Sequence, residues 1–294
     1  DFRLILNPSN GLLSPFFKAY TINSIGLKKP VSIQKENFFE GHVFGEKNSD
    51  VTVHIDEGMM TASIQTPDET YVVEPAWRHL PDHDNTTMIA YRTSDIKETP
   101  ESQDGHLRFC GYVRENGNLT VKKEKQDITL VKRQTSSQYR WEPVHTRCSL
   151  LLVADHLFYQ NMGGSDLKGT INYLISLIDR VNKVYLETEW NSNDKQGGFR
   201  GMGFVIQEVM VHTESTPVVH GEVHYNMADY EWNVRDLLEN FARHSSPRFC
   251  LSHLFTHQGF PNDGTILGLG YIAAVSPHQP GGICSPGVFC CVCF

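Results

Sequence analysis

Two imidazoles four residues apart on one helix face can hold a metal ion, and His253-Leu254-Phe255-Thr256-His257 has that spacing. The segment has the composition of a strand, however. On a strand, positions i and i+4 share a face but stand about 13 Å apart, too far for one zinc. No glutamate lies between the two histidines, and no His-Glu-x-x-His occurs anywhere in the sequence. A zinc endopeptidase needs such a motif to gather its imidazoles and its carboxylate base. The remaining histidines, among them His212, His220, His224 and His278, read as surface or satisfied buried residues. Seven cysteines remain: Cys110, Cys148, Cys250, Cys284, Cys290, Cys291 and Cys293. An odd count leaves at least one thiol without an internal partner. Cys290-Cys291-x-Cys293 is not the two separated pairs of a four-ligand zinc site. The sequons Asn85-Thr86-Thr87 and Asn118-Leu119-Thr120 are glycosylation acceptors if the chain is secreted.

The elements that must carry these residues start at 148–155, an apolar run ending in Asp155 that reads as a strand buried on both faces. A polar, glycine-containing loop over 161–169 follows. Then Ile171, Leu174, Ile175, Ile178, Val181 and Tyr185 recur at spacings of three and four, one face of a helix. Asp179, Arg180, Asn182 and Lys183 take its other side. Residues 201–211 read as a second strand and 232–244 as a second helix, with Val234, Leu237, Leu238 and Phe241 on one face. Residues 249–255 and 267–274 read as third and fourth strands. The order β-α-β-α-β-β predicts a mostly parallel sheet with covering helices, with 267–274 near an unpaired edge. Cys148 and Cys250 fall at the starts of the first and third strands. Neighbouring strands about 4.8 Å apart are within disulfide reach if register allows; two buried reduced thiols are the other reading.

Residues 1–133 are β-rich, with short alternating segments at 2–6, 17–20, 51–55, 61–64 and 69–73 separated by turn residues such as Asn7-Pro8 and Thr66-Pro67-Asp68. Residues 114–146 are polar, contain the dibasic pair Lys132-Arg133 and read as a linker. The 294 residues suit about two domains. A net charge of −8 argues against nucleic acid or an anionic membrane as the main partner. No apolar run approaches the ~20 residues that span a bilayer. The first residue is Asp, so the chain is expected to start after a removed segment or inside a longer one.

Several stretches together resemble the ADAM (reprolysin-type) zinc metalloproteinases, most closely the tumour necrosis factor-α converting enzyme type. They are Leu151-Leu152-Val153-Ala154-Asp155-His156, Leu177-Ile178-Asp179-Arg180-Val181, His224-Tyr225-Asn226-Met227-Ala228 and Leu251-Ser252-His253-Leu254-Phe255-Thr256. Earlier in the chain, Asp1-Phe2-Arg3-Leu4, Gly41-His42-Val43, Glu74-Pro75-Ala76-Trp77-Arg78 and Cys110-Gly111-Tyr112 match as well. The resemblance implies an α+β chain: a β-rich inhibitory prodomain over 1–133, then over 134–284 the first part of a zincin-like α/β domain. Residues 285–294 form a divergent cysteine-rich tail, as a shifted reading frame would produce. It implies that Cys110 is the switch thiol that occupies zinc's open position, with Gly111 letting the backbone approach closely. It makes Lys132-Arg133 a remnant convertase site, although Leu130 stands where such sites usually carry another arginine. It implies the Cys148–Cys250 pair independently, and would pair Cys284 with a cysteine further on. The family cofactor is zinc, with none expected on this chain, because the zinc-binding helix would follow residue 294. The implied function is that of a membrane-anchored endopeptidase that sheds ectodomains, as in Notch signalling or cytokine release, with this chain inactive alone. Its partners would be membrane-protein substrates in the secretory pathway or at the cell exterior. The alternative is a non-catalytic binder or inhibitor of the full-length protease.

Overall fold

The structure, a computed structural model, describes residues 2–80, 87–96, 109–113, 119–121, 147–190, 200–219, 221–228, 230–244, 248–260, 266–272, 281 and 290–293. Among these the N-terminal region contributes β1 (Leu4–Pro8), β2 (Leu13–Ile22), β3 (Lys28–Val31), β4 (Phe38–Val43), β5 (Asp50–Asp56), β6 (Met59–Gln65), β7 (Thr70–Pro75) and β8 (Met88–Arg92). Then come β9 (Phe109–Val113), β10 (Leu119–Val121), β11 (Arg147–Ala154), α1 (His156–Asn161), α2 (Leu167–Glu187) and β12 (Gly203–His212). α3 (Val234–His244), β13 (Leu251–Phe255), β14 (Ile266–Tyr271) and β15 (Cys290–Cys293) complete the order. The chain is mixed α/β.

The first sheet is antiparallel throughout, in the order β1-β4-β5-β6-β7-β8. The alternation of its strands puts Val43, Val51, Val53, Ala62 and Ile64 on one buried face. β5 and β6 join through Glu57-Gly58 with φ of 49° and 83°, the left-handed pair that a two-residue hairpin turn requires.

The second sheet runs β10-β9-β14-β15-β13-β11-β12-β2-β3. β11, the apolar run that begins at Cys148, lies at its centre, parallel to β12 and β13. Helix α2 starts at Asp166, whose carboxylate accepts the Gly169 N–H at 2.9 Å, an N-cap. Its Ile171, Leu174, Ile175 and Ile178 pack with Leu150, Leu152, Ile206 and Phe255 on one face of this sheet. On the opposite face, α3 packs Val234, Leu237, Leu238 and Phe241 against Leu151, Val153, Leu254 and Leu269.

Four features depart from the sequence reading. β14 is not an edge: it pairs antiparallel with β15 and parallel with β9. The Cys290-Cys291-Val292-Cys293 tail is a strand within the sheet, inserted between β13 and β14. β2 and β3, from the region read as a separate domain, extend this sheet beyond β12, with β2 parallel to it. Asn182, assigned to the side of α2 away from its apolar face, is buried, and its Oδ1 accepts the Phe204 N–H at 2.7 Å. The common cause is long-range pairing. Residue period reports which face of an element is apolar, not which distant strand lies beside it.

Candidate functional site

The edge of β14 is covered by the strand that carries Cys110. β9 runs parallel to β14 with Cys110 opposite Gly268, Gly111 opposite Leu269 and Tyr112 opposite Gly270. β10 pairs antiparallel on the outer side of β9. On the other side of β14, Gly268 stands opposite Cys293 and Gly270 opposite Cys291. Two strand spacings of about 4.8 Å put the Cys110 and Cys293 backbones about 10 Å apart, beyond the reach of a disulfide. Lys132, Arg133, Asn85, Asn118 and Cys284 lie outside the described residues.

Cys148 and Cys250 are disulfide-bonded, with 5.2 Å between Cα atoms and 102 residues of separation. The bond ties the start of β11 to the residue before β13, where the Cys250 N–H also donates to Ser149 Oγ at 3.1 Å. In the chain-entropy account, closing a loop of about 100 residues stabilises the fold by about 4–5 kcal/mol.

At the carboxyl end of β11 the chain turns on Asp155, which is 3% exposed. Its Oδ1 accepts the Phe158 N–H at 2.7 Å, capping α1, and its other oxygen accepts the Thr256 hydroxyl. Burial pushes its carboxyl up from the usual range, against those two hydrogen bonds. Beside it, Asn226 Oδ1 accepts both the His156 N–H at 2.8 Å and His156 Nδ1 at 3.0 Å. An amide oxygen only accepts, so His156 Nδ1 carries the proton. The Asn226 amide nitrogen donates to the Glu214 carbonyl at 2.9 Å and to Thr216 Oγ1 at 3.1 Å. Its backbone N–H donates to His224 Nδ1 at 3.1 Å.

These contacts assemble a histidine cluster that no spacing announced. The His224 ring lies 4.6 Å from that of His244, 5.7 Å from that of His212 and 4.2 Å from that of Tyr225. His212 Nε2 is 2.9 Å from the Tyr225 hydroxyl. Burial holds His212 down to about 3 and His224 down to about 4. His244 Nδ1 donates to the Asn240 carbonyl at 2.8 Å. The only sequence signal was the run His224-Tyr225-Asn226, whose three side chains all turn inward into the network. With His224 Nδ1 accepting from Asn226 N–H and His156 Nδ1 donating to Asn226 Oδ1, the cluster buttresses the end of β11 and β12. Among the described residues, no group of three or more His, Cys, Asp or Glu is placed to hold a metal ion. The zinc of the resembling family therefore finds no fitting ligand set in them. The spaced pair is split between a strand and the segment after it. His253 lies on β13, held down to about 4 by burial and stacked 4.2 Å from Phe255, while His257 is exposed beyond the strand.

A family model described as metallo-peptidase family M12 (Reprolysin_5) matches residues 144–290. The chain is 26% identical over 300 residues to the disintegrin and metalloproteinase domain-containing protein 17 homolog of Caenorhabditis elegans, covering 97% of this chain and 41% of that protein. It is 24% identical over 303 residues to human disintegrin and metalloproteinase domain-containing protein 10, covering 96% of this chain and 37% of that protein. The chain thus spans about two fifths of the length of these relatives. Among solved structures, metalloproteinase-II from Bacteroides fragilis gives a TM-score of 0.35 at 10% identity, over 94% of this chain and 68% of that one. So slight a likeness carries no argument. Among the described residues, no helix is long and apolar enough to cross a membrane.

Proposed function

The chain belongs to metallo-peptidase family M12, and from that premise we propose that it joins an inhibitory pro-segment, residues 1–133, to the first part of a zincin-like metalloproteinase domain of the ectodomain-shedding type. The observation that carries this reading is the pairing of β9 with β14, Cys110 opposite Gly268. An extended peptide can bind as a strand added to an open sheet edge. A strand of the same chain on β14 takes that edge from a substrate. On this reading Cys110 is the thiol that meets zinc in a catalytic domain that carries the metal. Residues 1–294 contain no His-Glu-x-x-His and do not hydrolyse peptides by themselves. The protein acts in the secretory pathway or at the cell exterior, on membrane-protein substrates. A second reading, a non-catalytic binder that inhibits a full-length protease in trans, rests on the same strand.

The purified chain, assayed on a fluorogenic peptide, gives no chelator-sensitive hydrolysis. Added to an active catalytic domain of the disintegrin-and-metalloproteinase type, it inhibits, and Cys110→Ser weakens that inhibition at least tenfold. Chelator-sensitive hydrolysis by the chain alone overturns the first reading. Inhibition indifferent to Cys110→Ser, or no inhibition at all, overturns the role of β9.

A further inference from the structure

The run Glu74-Pro75-Ala76-Trp77-Arg78 lies far along the chain from Cys110 and has no part in the β9–β14 pairing. It leaves β7, makes one 3₁₀ turn over Ala76–Arg78, and places two side chains on the turn between α1 and α2. The Arg78 side chain is 4% exposed. Its guanidinium lies 3.8 Å from the centre of the Tyr173 ring on α2 and 5.2 Å from that of Trp77. Its Nε–H donates to the Met162 carbonyl at 3.3 Å, and its Nη1 stands 3.7 Å from Glu74 Oε2. Glu74 is in turn fixed by the Tyr91 hydroxyl and by His79 Nε2 at 2.8 Å. Trp77 lies flat on Gly164. A Cβ there would meet three Trp77 ring carbons at 2.8–3.0 Å, and φ of +59° already favours glycine.

Elsewhere the first sheet meets α2 through polar contacts. Lys183 pairs with Asp50, Asn172 Nδ2 reaches Asp56 at 3.4 Å, and Lys168 stands 3.9 Å from Glu57. The Lys168–Glu57 pair is long and exposed and holds little, and Asp50 of the Lys183 pair is itself partly in solvent. A desolvated arginine over an aromatic ring, on a carbonyl, is the kind of contact that dominates an interface.

We propose that the face made by Tyr173, the Met162 carbonyl and the bare backbone of Gly164 is a receptor for an arginine that follows an aromatic residue, and that Trp77-Arg78 fills it as the clasp holding the first sheet on α2. This rests on the reading of residues 1–133 as a pro-segment and names the contact that governs how long its sheet stays docked. Arginine is required: a lysine ammonium cannot lie flat on the Tyr173 ring and donate sideways to the carbonyl.

Zero-length carbodiimide crosslinking of the full chain, read by peptide mass spectrometry, tests the clasp. Lys183–Asp50 reports the docked sheet. Lys28–Glu208, at 3.7 Å between β3 and β12, reports the integrity of the second sheet. Arg78→Met, Arg78→Lys and Trp77→Ala should each lower the Lys183–Asp50 yield at least fivefold and leave Lys28–Glu208 unchanged. Gly164→Ala, which pushes on Trp77 from the receptor side, should do the same. An unchanged Lys183–Asp50 yield in these variants overturns the proposal. Loss of both crosslinks overturns it too, because residues 74–78 would then belong to the common core. Neither result bears on inhibition through β9, which is read by the separate protease assay.

Discussion

Lys183 on α2 forms an ion pair with Asp50 at the start of β5, so a helix face that the sequence presents as solvated is covered by a second sheet. Helix α2 is thereby held between the apolar face of one sheet and the polar rim of another. The neighbours of that rim set several expectations.

Asp179 sits on the same face, near Asp50, Glu40 and Lys183. Burial raises its carboxyl from 3.8 to about 6, with Lys183 opposing. A raised carboxyl costs stability when ionised above pH 6 and returns it as pH falls toward 3.8. Asp179→Asn should therefore raise the unfolding free energy at pH 7.5 by about 1–3 kcal/mol, and much less at pH 4, in urea titrations. Equal effects at both pH values would exclude this carboxyl as the source.

His54, on β5 with its ring 4.5 Å from that of Phe38, is held down to about 4 by burial. A depressed imidazole contributes stability above its unfolded value near 6.5, and that stability is lost as pH falls toward 4. His224 and His253 carry the same sign. Acidification from pH 7.5 to 5 should cost about 2 kcal/mol for each such histidine. His54→Gln should shrink that loss by about the same amount. Nuclear magnetic resonance titration showing His54 protonated near pH 6.5 in the folded chain would contradict it.

Asn182→Ala leaves the Phe204 N–H buried without its acceptor. The expected loss is about 1–3 kcal/mol, read as a lower urea midpoint at constant slope. Gly203 belongs to the same contact, since a Cβ there would lie 2.6 Å from Asn182 Oδ1. Gly203→Ala should destabilise in the same direction, and the two losses should not add, because they act on one contact.

Cys148→Ala should cost about 4 kcal/mol and lower the melting temperature by several degrees. Melting indistinguishable from the parent chain would show that register alone, Leu150 opposite Leu251, holds β11 to β13.

A fragment lacking residues 1–133 should aggregate. Removing β2 and β9 opens the edges of both β12 and β14. A monomeric fragment with slowly exchanging amides over 150–153 would show that the trimmed sheet stands alone.

The sequence by itself determined the elements. The period of Ile171, Leu174, Ile175 and Ile178 made α2, the unbroken run from Leu150 to Ala154 made a doubly buried strand, and the alternation at 51–55 made β5. Its motifs also carried the family, because many short matches in one order do not depend on how strands pair. Tertiary structure alone decided that Cys110 pairs in register with Gly268, that β2 extends the sheet beyond β12, and that His212, His224 and His244 meet. It also decided that the face of Asp179 and Lys183 lies under a second sheet. The physical reason is range. A side chain's period records the environment within a turn or two of its own element, whereas a strand's neighbour is chosen by which edges and faces remain free after the rest of the chain has packed.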